Sequence, residues 1–137
     1  MGQTPGPRVL IVDDDFHLRS ALRNLLTDYG IPIVGEAADG RQGVEAALAL
    51  APDIVLMDVR MPVLGGIDAT RHLANMLPAA RVIVCSAYAD DTMREQAREA
   101  GAAAVIAKGD HPREFLDAIE QAWSQIQADR AWAAARS

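Results

Sequence analysis

The sequence predicts one α/β domain: a single doubly wound sheet of five parallel strands, with five helices covering both faces. Three observations carry that prediction. Short β-branched runs alternate strictly with helix-period patterns along residues 8–127. The runs Val9-Leu10-Ile11-Val12 and Ile54-Val55-Leu56-Met57 are continuously apolar, as a parallel strand covered on both faces requires. Half of the 137 residues are apolar, enough for a core and too many for a charge-dominated disordered chain.

Each element has a local reason. The first strand spans Arg8–Val12. The helix after it carries Leu18, Leu22, Leu25, Leu26 and Tyr29 on one stripe, and Gly30 ends it as a left-handed cap. The second strand spans Ile31–Ala37, and its Pro32 suits an edge position. Asp39-Gly40-Arg41-Gln42 resembles a capping box for a helix with Val44, Ala47, Leu48 and Ala51, stopped by Pro52. The third strand spans Asp53–Met57, and a loop occupies Met61–Gly66. A helix from about Ile67 to Leu77 precedes the fourth strand, Arg81–Cys85. Asp90 and Asp91 open a helix ending near Gly101, and Ala103–Ala107 is the fifth strand. Pro112 at the first helical position opens the last helix, whose stripe is Phe115, Leu116, Ile119, Trp123 and Ile126. Residues 1–7 form a flexible lead-in without the apolar segment of a signal peptide, and residues 128–137 a helical extension or tail.

Charge and composition narrow the function. The chain has 13 basic and 19 acidic residues, a balance of −6, which argues against a nucleic-acid-binding module. Its one cysteine, Cys85, excludes an intrachain disulfide and fits a reducing, cytoplasmic compartment. No apolar run reaches the roughly 20 residues of a membrane helix.

Doubly wound sheets bind ligands beyond the carboxyl ends of their strands. At those ends stand Asp13, Asp14 and Asp15, then Asp58, Ser86 and Lys108. Taken singly, each has a plain reading: a helix cap, a loop carboxylate, a turn hydroxyl, a solvated lysine. Asp15 keeps the reading of a cap. Together they form a set. Clustered carboxylates raise each other's proton affinity, and a hard divalent cation such as magnesium relieves that repulsion. A lysine and a hydroxyl nearby suit a phosphoryl group, with an aspartate as acceptor. His17, His72 and His111 lack metal-ligand spacing and read as surface or cap residues; Cys85 reads as an inert core residue.

The runs Val9-Leu10-Ile11-Val12-Asp13-Asp14 and Leu56-Met57-Asp58-Val59-Arg60-Met61-Pro62 with Gly65-Gly66, then Ser86-Ala87 and Lys108, resemble a response-regulator receiver domain over about Arg8–Gln127. The resemblance implies a flavodoxin-like sheet of order 2-1-3-4-5. It makes Asp58 the phosphoacceptor. It implies that Asp14, Asp58 and the Arg60 carbonyl bind magnesium directly and that Asp13 acts through bound water. Lys108 would pair with Asp58 or its phosphoryl group, and Ser86 would contact a phosphoryl oxygen. The implied partners are a sensor histidine kinase or phosphotransfer protein and an output domain or partner on the face of the fourth helix, fifth strand and fifth helix. A homodimer is compatible with it; direct contact with nucleic acid or membrane is not expected.

The sequence departs from that pattern at Val105, where an aromatic switch residue is common, and at Gly109, where proline is common. Ser86 stands where threonine is frequent. With no aromatic at 105, Ser86 is expected to act through the backbone of the loop after the fourth strand. Two alternatives share parts of the pattern: a non-phosphorylated interaction module on the same fold, and a phosphatase of the haloacid-dehalogenase type. The latter puts its nucleophile after the first strand in an Asp-x-Asp-x-Thr/Val pattern, which Asp13–His17 fails at its fifth position.

Overall fold

The structure is a computed structural model that describes residues 6–109 and 111–136. Residues 1–5 of the expected lead-in lie outside these. The element order is β1 (Val9–Val12), α1 (Phe16–Asp28), β2 (Ile33–Ala37), α2 (Gly40–Leu50) and β3 (Ile54–Asp58), then α3 (Gly66–Met76), β4 (Arg81–Ser86), α4 (Asp91–Ala100), β5 (Ala104–Ala107) and α5 (Pro112–Ala135). The strands form one parallel sheet, β2-β1-β3-β4-β5, the expected order.

The pleat sorts alternate residues to opposite faces. Val9, Ile11, Ile54, Leu56, Ile83 and Cys85 pack under α1 and α5. Leu10, Val12, Val55, Met57, Val82 and Val84 pack under α2, α3 and α4. Buried on both sides, β1, β3 and β4 need the continuous apolarity that announces them.

Local signals explain the helix ends. Gly30, at φ 75°, lets the Ile31 N–H reach the Leu26 carbonyl and its own N–H reach Thr27, both at 2.9 Å. Asp39 caps α2 through the Gln42 N–H at 2.8 Å. The Gln42 side chain reaches back to the Ala38 N–H rather than to that of Asp39.

Two helical stripes differ from expectation. Tyr29 is exposed, because α1 ends at Asp28 and the helical phase no longer carries Tyr29 inward. In α2 the buried positions are Gly40, Gly43 and Ala47, with Leu50 packed against the same layer, while Leu48 and Ala51 face solvent. Small residues let α2 approach closely, since a side chain at Gly43 would stand 2.7 Å from Val12. Strand ends also shift: β2 starts at Ile33, and Asp58 and Ser86 are the last residues of β3 and β4.

The last helix runs unbroken to Ala135. Its final turns fold back on the amino edge of the sheet, where Asp129 pairs with Arg81 and Arg130 reaches Asp53 at 2.7 Å. Trp132, opposite the buried stripe, is exposed. Among the described residues, no helix is long and apolar enough to cross a membrane.

Candidate functional site

The carboxyl edge gathers the chemistry. Asp13 follows β1 directly and is 3% exposed. Its N–H donates to the Ala37 carbonyl at 3.0 Å, and its Oδ1 accepts the Asp15 N–H at 2.8 Å. Asp15 is the N-cap of α1, accepting from the His17 and Leu18 amides, as its sequence position predicts. Asp14, between them, is exposed, and its carboxylate has no hydrogen bond or ion pair among the described residues.

Asp58 sits at the end of β3 and is 5% exposed. Gly66 lets α3 begin against it: a Cβ there would lie 1.7 Å from the Asp58 carbonyl oxygen. The Asp58 Oδ1 accepts the Val59 N–H at 2.8 Å and the Lys108 ammonium at 2.9 Å. The same Lys108 Nζ is 2.9 Å from Asp13 Oδ2. Lys108 follows β5, and its N–H donates to the Ser86 carbonyl at 2.8 Å, joining the ends of β4 and β5. One cation therefore bridges the carboxylates after β1 and β3.

Ser86 is buried, and its Oγ accepts the Tyr88 N–H at 3.1 Å. Arg60 lies in the loop after β3, with its guanidinium carbon 4.8 Å from the Tyr88 ring centroid. No peptide bond among the described residues is cis. His17 and His72 are exposed, and His111 caps α5 by accepting the Arg113 N–H.

Electrostatics follow from this packing. Burial and the neighbouring Asp13 charge raise the Asp58 carboxyl above its ordinary 3.8, against the pull of Lys108 and the Val59 N–H. Burial pulls the Lys108 ammonium down, but its bonds and charge pairing with Asp13 and Asp58 outweigh burial, and the net direction is up from 10.5. Burial pushes the Cys85 thiol up to about 12, consistent with an inert core residue.

Oxygens of Asp13, Asp14 and Asp58 all lie within 4.8 Å of one another. Three carboxylates and one ammonium sum to −3 + 1 = −2. An all-oxygen set with that residual charge fits a hard divalent cation such as magnesium.

Sequence reasoning missed Arg19 and Arg94. The Arg19 guanidinium donates to the Asp13 carbonyl at 2.6 Å and to Glu36 at 3.2 Å. Arg94, on the polar face of α4, is half-buried and reaches the carbonyls of Ala89 and Val105. Neither carries a spacing signal, because their partners lie on other elements.

Comparison with known proteins places this geometry. The family described as response regulator receiver domain matches residues 9–120. The chemotaxis protein CheY of Thermotoga maritima is 41% identical over 116 residues, covering 85% of this chain and 97% of that protein. The transcriptional regulatory protein PdtaR of Mycobacterium tuberculosis is 40% identical over 120 residues, covering 88% of this chain and 58% of PdtaR. The chain spans about half the length of response regulator UvrY of Escherichia coli, 54%, at 37% identity over 85% of this chain. Among solved structures, a LuxR-family two-component response regulator from Aurantimonas sp. SI85-9A1 superposes with TM-score 0.84 at 34% identity, covering 88% of this chain and 86% of that one. The CheX–CheY–BeF3–Mg complex from Borrelia burgdorferi gives TM-score 0.80 at 29% identity, covering 83% and 87%. A match running from the first residue of β1 well into α5, joined to a relative 41% identical along nearly its whole length, makes the assignment direct: this chain belongs to the response regulator receiver domain family.

Proposed function

We propose that this domain accepts a phosphoryl group on Asp58 from a phosphohistidine of a sensor kinase or phosphotransfer protein, in a magnesium-dependent reaction. The observation that carries the reading is the Lys108 ammonium, 2.9 Å from both Asp13 and Asp58 within a cluster of three carboxylates. In the forward step an Asp58 carboxylate oxygen attacks phosphorus, a P–O bond forms, and the donor's P–N bond breaks to release its imidazole. Water later attacks phosphorus, inorganic phosphate leaves, and the Asp58 carboxylate is restored.

Each residue has a task set by its surroundings. Lys108 opposes the upward drift of the Asp58 carboxyl and keeps it ionised for attack. Asp14 and Asp58, with the Arg60 carbonyl, would hold magnesium directly, and Asp13 would act through water. Magnesium, when bound, neutralises charge on the phosphoryl oxygens. The Ser86 O–H would donate to one of those oxygens, a role separate from the acceptance of the Tyr88 N–H by its Oγ.

Signalling requires a second arrangement of the domain. Moving from mostly off to mostly on takes about 5.5 kcal/mol of differential stabilisation. New charge-assisted bonds from Ser86 and Lys108 to the phosphoryl group contribute to that difference. The route outward avoids an aromatic at position 105: the Ser86 hydroxyl holds the Tyr88 amide, and Arg94 joins the next carbonyl, Ala89, to Val105 on β5. That route ends on the face of α4, β5 and α5, where an output domain or partner would dock. The reading carries a cytoplasmic location with it.

Labelling with acetyl phosphate and magnesium tests the acceptor. Wild type should gain one phosphoryl group labile to base and to hydroxylamine, as an acyl phosphate is, and Asp58→Asn none; labelling of Asp58→Asn at the wild-type rate would remove Asp58 from the role. Magnesium-dependent binding of beryllofluoride should behave the same way, and its absence in wild type favours a non-phosphorylated interaction module.

A further inference from the structure

We propose that Arg19 is a positioning residue for this pocket: braced by Glu36, it grips the Asp13 carbonyl and thereby sets the Asp13-Asp14 pair for a divalent cation. The inference rests on the reading of the acidic cluster given above.

Arg19 lies in the first turns of α1, and its side chain is 15% exposed. Its Nη1 donates to the Asp13 carbonyl at 2.6 Å, and its Nε donates to Glu36 Oε1 at 3.2 Å. Glu36 belongs to β2, in register with Ile11 of β1. The other Glu36 oxygen takes Arg23 Nε at 2.6 Å, so the brace is itself anchored to α1 at a second point. Only a guanidinium spans this gap, because its planar fork offers separate donors to a carboxylate and a carbonyl at once.

The consequence falls on Asp13. All four of its polar atoms are engaged. The N–H donates to Ala37, and the carbonyl accepts from Arg19. Oδ1 accepts from Asp15, and Oδ2 from Lys108. The residue has no slack, and its peptide link to Asp14 is held from the β2 side. Asp14 itself has no protein partner for its carboxylate among the described residues, yet its oxygen stays within 4.8 Å of those of Asp13 and Asp58. Three like charges at that spacing push the turn after β1 outward. Arg19 resists that push from behind the pocket without touching the cation. Outer partners of this kind orient ligands, and their loss commonly weakens metal binding by about 10-fold or more.

Calorimetric titration of the full chain with magnesium chloride, without a phosphodonor, tests this. Arg19→Ala should bind magnesium about 10-fold more weakly than wild type while remaining folded by circular dichroism at the titration temperature. Arg19→Lys keeps the charge but loses the fork, so it should recover only part of the affinity. Glu36→Gln should weaken binding less than Arg19→Ala, and Arg41→Ala, in an exposed pair on α2, should leave it unchanged. A folded Arg19→Ala with the wild-type dissociation constant overturns the proposal, as does full recovery by Arg19→Lys. If Arg19→Ala does not fold, Glu36→Gln decides: weaker binding supports the brace, and wild-type binding overturns it. Should wild type itself bind no magnesium, the reading of the acidic cluster fails first, an outcome distinct from wild type and variants binding alike.

Discussion

Asp58 is held where its charge is disfavoured. Burial and Asp13 both raise its proton affinity, and Lys108 offsets them only in part. The folded state therefore binds this proton more tightly than the unfolded chain does. Its contribution to stability is present below pH 3.8 and is lost as pH rises through the folded value. Asp58→Asn should then stabilise the magnesium-free protein at neutral pH, by on the order of 1 kcal/mol in urea unfolding. That gain should shrink as the pH is lowered through the folded value, where wild type takes up the proton. A destabilised Asp58→Asn at neutral pH would show that the Lys108 bridge outweighs the burial of charge. Lys108 has the opposite partners: raised above 10.5, it favours folding at all lower pH and loses that contribution above its folded value. Cys85 gives a simpler test. Buried and pushed up to about 12, its thiol should resist iodoacetamide at pH 8 in the native protein and react fully in urea.

At the scale of elements, the site is built from strand ends and the turns that leave them. Continuous apolar runs identify β1, β3 and β4 from sequence, and so they identify which residues follow each run. Gly66 shows how closely the next element then packs. A methyl there would stand 1.7 Å from the Asp58 carbonyl oxygen, which is backbone and cannot rotate aside. Gly66→Ala should cost about 3 kcal/mol or more in denaturant unfolding and displace Asp58, weakening magnesium binding as well. Gly43→Ala, which meets the Val12 side chain at 2.7 Å rather than backbone at 1.7 Å, should cost less. Legibility failed where partners come from different elements. In α2, Val44 and Ala47 of the expected stripe pack inward while Leu48 and Ala51 face solvent, because Gly40 and Gly43 carry no apolar signal and yet mark the face that packs. Arg94 has the look of a solvated arginine until β5 is folded beside α4.

Across the whole molecule, the acidic site and the far end of α5 occupy opposite edges of the sheet. The family match ends at residue 120, whereas α5 continues to Ala135 and ties back through Arg130–Asp53 and Arg81–Asp129. These pairs are partly exposed, and such pairs contribute about 0.2–1 kcal/mol each. A chain ending at residue 127, the boundary expected from sequence, should remain folded with a loss of about 1 kcal/mol in urea and unchanged magnesium affinity. Failure to fold would make the last turns of α5 part of the core unit.

By itself, the sequence determined the alternation of elements, and with it the parallel sheet and the residues at its carboxyl edge. Those properties are periodic or contiguous along the chain, so local pattern suffices to expose them. Tertiary structure alone decided what each edge residue does. Asp13, Asp14 and Asp15 are chemically identical neighbours, yet one is buried against Lys108, one faces the pocket with no carboxylate partner among the described residues, and one caps α1. Arg19 and Glu36 meet only because β2 pairs with β1 in a particular register. Electrostatic coupling acts through space at a few ångströms, and only the folded chain sets those distances.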